Sequence, residues 1–363
     1  VSRPAALDIS VSTPPRRFGT GERDPASAIG QQHRSRPTTF QQTLKTSLFA
    51  STAALLALAP ALARADQTVS SAQTSALTAT GGNLAITGSG SIAVSSGAAV
   101  IVSGVNQTGI SNAGSISAAT SGSGAGPAIS FSSTASSASI DNSGTLVSKN
   151  GIQAYSPVAI TNSGSMVGSD RTITFQTGSA GSSVSNSGAI GVSQNYAAIS
   201  NQAGTLTSVT NSLGGRIAAF IPIENGSGTI QTLTNYGQIY SIHFANASAI
   251  GGGGTITNLI NYGTIVGHNT TAIANTVVNL TNAQGAATAT PLSIAAQATN
   301  YTEVLLSPTN YGQLLLSTVT GSMNFALSAD SVLTAGTYAS VLSGITAANI
   351  GQGAGQRAAR PGR

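Results

Sequence analysis

Apolar and polar residues alternate along most of this chain in short runs, and many runs end in one recurring frame: apolar, any, Asn, any, Gly, any, apolar. Leu233-Thr234-Asn235-Tyr236-Gly237-Gln238-Ile239 is one copy, and Ile260-Asn261-Tyr262-Gly263-Thr264-Ile265 and Thr309-Asn310-Tyr311-Gly312-Gln313-Leu314 follow it. Earlier copies are centred on Asn112, Asn142, Asn162 and Asn186. Period-two alternation is strand patterning. Asn and Gly both tolerate positive φ and are expected to turn the chain between strands.

Asn positions 112, 142, 162, 186, 211, 235 and 261 are separated by 30, 20, 24, 25, 24 and 26 residues, and Asn310 follows after a further 49. A repeat of this length without helical patterning predicts a solenoid. The fold class is therefore all-β, a right-handed parallel β-helix with one coil per repeat. Apolar residues should point inward, and Asn112, Asn142, Asn162, Asn186, Asn235, Asn261 and Asn310 should stack as a ladder. Residues 84 to 316 would supply roughly ten coils, a rod about 50 Å long at ~4.8 Å per strand.

Composition narrows the picture. The chain has 363 residues, only 6% of them charged and 40% hydrophobic, with 43 Gly and no Cys. Low charge with this much apolar content favours a folded strand-rich rod over disorder. The overall charge of +5 belongs to the two ends. Between 67 and 350 there are three basic and five acidic side chains, which gives nucleic-acid binding by the body no support. The lack of Cys removes disulfides and thiolate chemistry and is compatible with export.

In chain order, residues 1–40 form a Pro- and Arg-rich leader expected to be disordered. Residues 41–65 have the features of a signal peptide: Lys45, an apolar centre from Leu48 to Ala59, Pro60, and small residues at Ala61-Leu62-Ala63 or Ala63-Arg64-Ala65. Cleavage would start the mature chain near 64–67, and the apolar run falls short of the ~20 residues of a membrane-spanning helix. Residues 66–316 are assigned to the β-helix, its first coils acting as a cap. Gly-rich stretches at 122–126 and 251–254 are expected to loop out. Residues 317–350 read as a terminal β segment, with a turn at 330–336, and 351–363 as a disordered tail.

The repeated Asn-Ser/Tyr-Gly-x-Ile/Leu coils and the segment Leu333-Thr334-Ala335-Gly336-Thr337-Tyr338-Ala339-Ser340-Val341-Leu342-Ser343-Gly344-Ile345 resemble the passenger regions of bacterial autotransporters (type V secretion). The resemblance covers about 45 to 350. It implies export through the Sec machinery and display at the cell surface or outer membrane. Residues after 350 do not supply that family's barrel, so a periplasmic or secreted product, or a non-functional truncated remnant of a longer gene, are the alternatives.

Candidate chemistry is sparse. His33, His243 and His268 are the only histidines. A Ser/His/Asp triad from His243 or His268 with Asp170 or Asp330 carries little information where Ser is so common, so hydrolase activity is only the alternative reading. No spacing for zinc, for calcium-binding nonapeptides or for a phosphate loop is present, and no cofactor is expected. Tyr236, Tyr262 and Tyr311 share one place in the frame. They are either a stack that packs coils together or a ligand-facing strip for host-surface carbohydrate or protein. The expectation is a non-catalytic adhesion or display rod.

Overall fold

The computed structural model describes residues 6–11 and 66–351, apart from 80, 105, 106, 137, 194, 195, 243–245, 269 and 270. The signal segment, most of the leader, the tail beyond 351, His33 and His243 lie outside the described residues.

The body is a parallel β-solenoid. Each regular coil contributes one strand to each of three sheets. One coil runs Val158–Asn162 in sheet I, Ser165–Gly168 in sheet II and Ile173–Phe175 in sheet III, before Ser183–Asn186 re-enters sheet I. Among the described residues sheet I has thirteen strands, sheet II nine and sheet III eight, each inner strand pairing with the coil before and after. Twelve inter-strand steps at ~4.8 Å make sheet I about 60 Å tall.

Register explains the sequence pattern. Ile110, Ile140, Ile160, Val184, Val209, Leu233, Leu259 and Leu280 are successive partners in sheet I. Ile116, Leu146, Met166, Ile190, Ile217, Ile239 and Ile265 do the same in sheet II. All are buried, and each such side chain stabilises the rod by about 1.5–3 kcal/mol. In sheet III the inward column reads Val102, Phe131, Ala154, Phe175, and the small residue between two rings lets them interdigitate.

The regular pattern changes near the C-terminal end. Sheet II stops at Thr264–Val266, and sheet III continues through single bridges from Ile250 to Ile273 and from Ile273 to Ile294. It passes into a four-stranded sheet of Leu292–Ala296, Leu314–Thr318, Gly336–Ser343 and Ala6–Val11. The last pair is antiparallel, so a stretch of the expected disordered leader is a strand on the edge of Gly336–Ser343. Met323–Leu327 pairs in parallel with Asn300–Glu303, so coil order runs past 316. The stretches on either side of the 330–336 turn therefore belong to different sheets.

Two further expectations change. Gly251–Gly254 does not loop out. It forms the tight corner between sheets III and I, where a Cβ on Gly254 would lie 2.3 Å from the Gly228 carbonyl oxygen. The frame glycines and asparagines are also not at positive φ. Glycine is needed there for space: a Cβ at Gly188 would lie 2.2 Å from the Gly164 oxygen, and one at Gly263 2.2 Å from the Gly237 oxygen.

Candidate functional site

The asparagines of the frame end the sheet I strands, where the chain turns sharply into sheet II, and their side chains point into the rod. Each Nδ2 donates to the Oδ1 of the next coil: Asn112 to Asn142 at 2.7 Å, Asn142 to Asn162 at 2.7 Å, Asn162 to Asn186 at 2.8 Å. Asn186 to Asn211, Asn211 to Asn235 and Asn235 to Asn261 are each 2.9 Å. The same Nδ2 atoms donate to turn carbonyls, as Asn162 does to Ala189 at 3.1 Å. The amide serves because it donates and accepts at once, so one residue type propagates the column, with the acceptor at its starting end, Asn112 Oδ1, buried and unpartnered. From Asn142 to Asn261 these side chains are committed to one another and to turn carbonyls.

The column differs from the predicted ladder at its far end. After Asn261 comes Asn282, which accepts from Asn261 Nδ2 at 3.1 Å. Glu303 is in register with Asn282. Asn310 is not in the column; it pairs with Ser307 in a short antiparallel hairpin. The local Asn-Tyr-Gly motif is the same, but here it serves a hairpin. Asn282 escapes the frame because Gln284 is inserted before Gly285. That extra residue has a use: Gln284 Oε1 accepts from Asn261 Nδ2 and from the Ile265 backbone N–H, covering the last strand of sheet II.

Glu303 is fully buried. Burial pushes its carboxyl up to about 8, against the lowering effect of the hydrogen bond that Tyr301 Oη donates to Oε2. Asn282 Nδ2 donates to the Gln284 and Gln313 carbonyls instead of to a side chain of the next coil, so the amide column ends at Asn282.

Two other amide columns were not anticipated. Asn201 Nδ2 donates to Asn225 Oδ1 at 2.9 Å, and Asn275 Nδ2 donates to the Asn225 and Gly254 carbonyls, all buried at the sheet III–I corner. The spacing Asn-x-x-Gly at 201–204 and 225–228 is the signal that could have found it. On the outer face of sheet I, Asn324, Asn300 and Asn279 each donate to the preceding Asn, ending at Asn258, at 2.8, 2.7 and 2.9 Å.

Tyr236 and Tyr262 follow Asn235 and Asn261 and stack, with centroids 5.5 Å apart and planes at 21°. Tyr236 is 46% exposed. Tyr262 Oη donates to Asp330 Oδ2 at 2.6 Å; burial and that carboxylate push the phenol up to about 12. A cleft beside Tyr236 is lined by Leu213, Gly215, Gln238 and Thr264. Tyr311 stands elsewhere. It is buried edge-on against Tyr338 at 5.2 Å, and its Oη donates to the Ala339 carbonyl. A shared frame position therefore did not make one three-membered strip.

His268 is half-buried, and its backbone pairs with Ala247. Among the described residues no group of three or more His, Asp and Glu is placed to hold a metal ion, and no helix is long and apolar enough to cross a membrane. Comparison with known families, with curated proteins and with solved structures finds no match.

Proposed function

We propose that this chain is an exported rod of the autotransporter-passenger type, displayed for adhesion and without catalysis. The observation that carries this reading is the half-exposed Tyr236–Tyr262 stack beside an open cleft, mounted on a solenoid whose outer faces are mostly uncharged. The mechanism is passive. A tall column of coils offers hydroxyls, amides and a few rings to host-surface carbohydrate or protein, and many weak contacts add through effective concentration.

Retention of the purified full chain on host cells, measured against an unrelated β-solenoid, tests the reading. Retention well above the control, reduced by Tyr236→Ala, is expected; retention no greater than the control sinks it. For export, the N-terminus of chain recovered outside the cytoplasm should lie at 64–67, a cut that frees the edge of Gly336–Ser343 from the Ala6–Val11 strand, and an intact leader on exported protein contradicts the signal assignment. Hydrolysis of ester or peptide substrates that disappears in His268→Ala would overturn the non-catalytic part.

A further inference from the structure

Charged side chains are rare in the solenoid, yet four of the eight between 67 and 350 converge on one place. Lys149, Asp170 and Arg171 stand on neighbouring coils at the corner between sheets II and III, joined by Asp170 N–H to Lys149 carbonyl at 2.9 Å. Arg171 reaches over the outer face of sheet III to Glu224, with Nη2 at 3.6 Å from Oε2, while Nη1 is 4.0 Å from Asp170 Oδ1. Glu224 Oε2 also accepts from Ser200 Oγ at 2.6 Å and from Gln202 Nε2 at 3.2 Å. The guanidinium lies over the ring of Tyr196, 4.6 Å from its centroid, and that ring is 50% exposed. Thr120, Gly122, Ser169 and Tyr196 join Lys149 and Asp170 around an open cleft of about 340 Å³.

The two ion pairs are long, and among the described residues Lys149 has no ion-pair partner. The cleft wall offers both donors and acceptors: the Lys149 ammonium, the Asp170 carboxylate and the hydroxyls of Thr120, Ser121 and Ser169. A simple anion would meet the Asp170 carboxylate, and a simple cation would meet Lys149. A hydroxyl group both donates and accepts, and a ring of them with an apolar C–H face also suits the exposed phenol of Tyr196.

We infer that the cleft lined by Lys149, Asp170 and Tyr196, braced from behind by Arg171 and Glu224, is a saccharide-binding site, separate from the Tyr236–Tyr262 stack. This deepens the adhesion reading and rests on it for its biological use. Arg171 is the positioning residue, holding Tyr196 and Glu224. Lys149, Asp170 and Tyr196 make the contacts.

The test is retention of the full chain on a printed panel of neutral, N-acetylated and uronate oligosaccharides. At least one class should bind, and Tyr196→Ala and Lys149→Ala should each weaken it about tenfold or more. Both side chains are at least partly exposed, so the melting temperature should stay within a few degrees and report an intact fold. Leu333→Ala, an exposed side chain in the 330–336 turn, should leave this binding unchanged. No binding to any class at millimolar sugar, or binding indifferent to both Tyr196→Ala and Lys149→Ala, overturns the inference. Cell adhesion that persists in that case leaves the rod reading standing, whereas failure of the unaltered chain to adhere removes that reading and leaves a sugar site measured on the panel intact.

Discussion

The middle of the rod and its C-terminal coils solve the same problem in different ways. From Asn112 to Asn282 one side chain repeats, and the amide column closes each turn by bonding to the coils on either side. Beyond Asn282 the same register holds Glu303, sheet II has ended, and aromatic residues take over: Tyr301 against Phe325, and Tyr311 against Tyr338. A self-complementary side chain permits indefinite repetition. A terminus needs side chains that satisfy one neighbour and shape the end, as Gln284 and Glu303 do. The middle is interchangeable from coil to coil, and the end is made of individual contacts.

Breaking the column should show this most strongly. Asn186→Ala leaves Asn211 Oδ1 without its donor, takes one acceptor from Asn162 Nδ2 and removes the bonds to the Gly188 and Arg216 carbonyls, all at a buried site, and is expected to cost about 3–5 kcal/mol. Asn310→Ala, from the same motif in the hairpin, should cost under about 1 kcal/mol. Chemical denaturation of both variants compares them; equal losses would deny the column its role.

Glu303 sharpens the contrast through pH. Burial holds its folded carboxyl at about 8, above the ordinary carboxyl value of 4.5, so the native state holds a proton that the unfolded state has released between those values. Stability contributed by the protonated form is fully present below 4.5 and falls as pH rises toward about 8, by an amount on the order of a few kcal/mol. Glu303→Gln, which restores an amide, should flatten the profile and raise the melting temperature at pH 8. A wild-type profile that is flat over this range would contradict the burial argument.

Smaller effects separate packing from surface. Gly188→Ala pushes a methyl into the Gly164 carbonyl and should cost about 1–3 kcal/mol by overpacking. An equivalent exchange at Gly88, where nothing lies within 4 Å, should be nearly silent. Tyr236→Ala removes one half-exposed ring from a stack and should cost less than about 1 kcal/mol. A larger loss would make the pair part of the core rather than a surface for ligands.

The fold was legible because burial in a solenoid is local and periodic. The spacing of Asn142, Asn162 and Asn186 tells where each coil closes, and alternation around them tells which side chains face inward. What that reading missed involves insertions and distance. Asn282 was hidden by one extra residue, and Asn310 was misplaced because a hairpin and a coil corner can carry the same tripeptide. Tyr311 went astray with it. The charged cleft was illegible as a site because Lys149, Arg171, Tyr196 and Glu224 come from separate coils. Their spacing of roughly one coil each becomes meaningful only when side-chain reach across the outer face is known.

Sequence alone determined the repeat, the inward apolar columns and the amide that closes each turn, because these depend on period-two geometry and on hydrogen-bonding groups that every coil carries for itself. The tertiary structure decided how the column ends, which tyrosines meet, and that four scattered charges cluster beside one cleft. Those outcomes depend on which coil lies above which, and on long side chains crossing between coils, and neither is encoded in any single repeat.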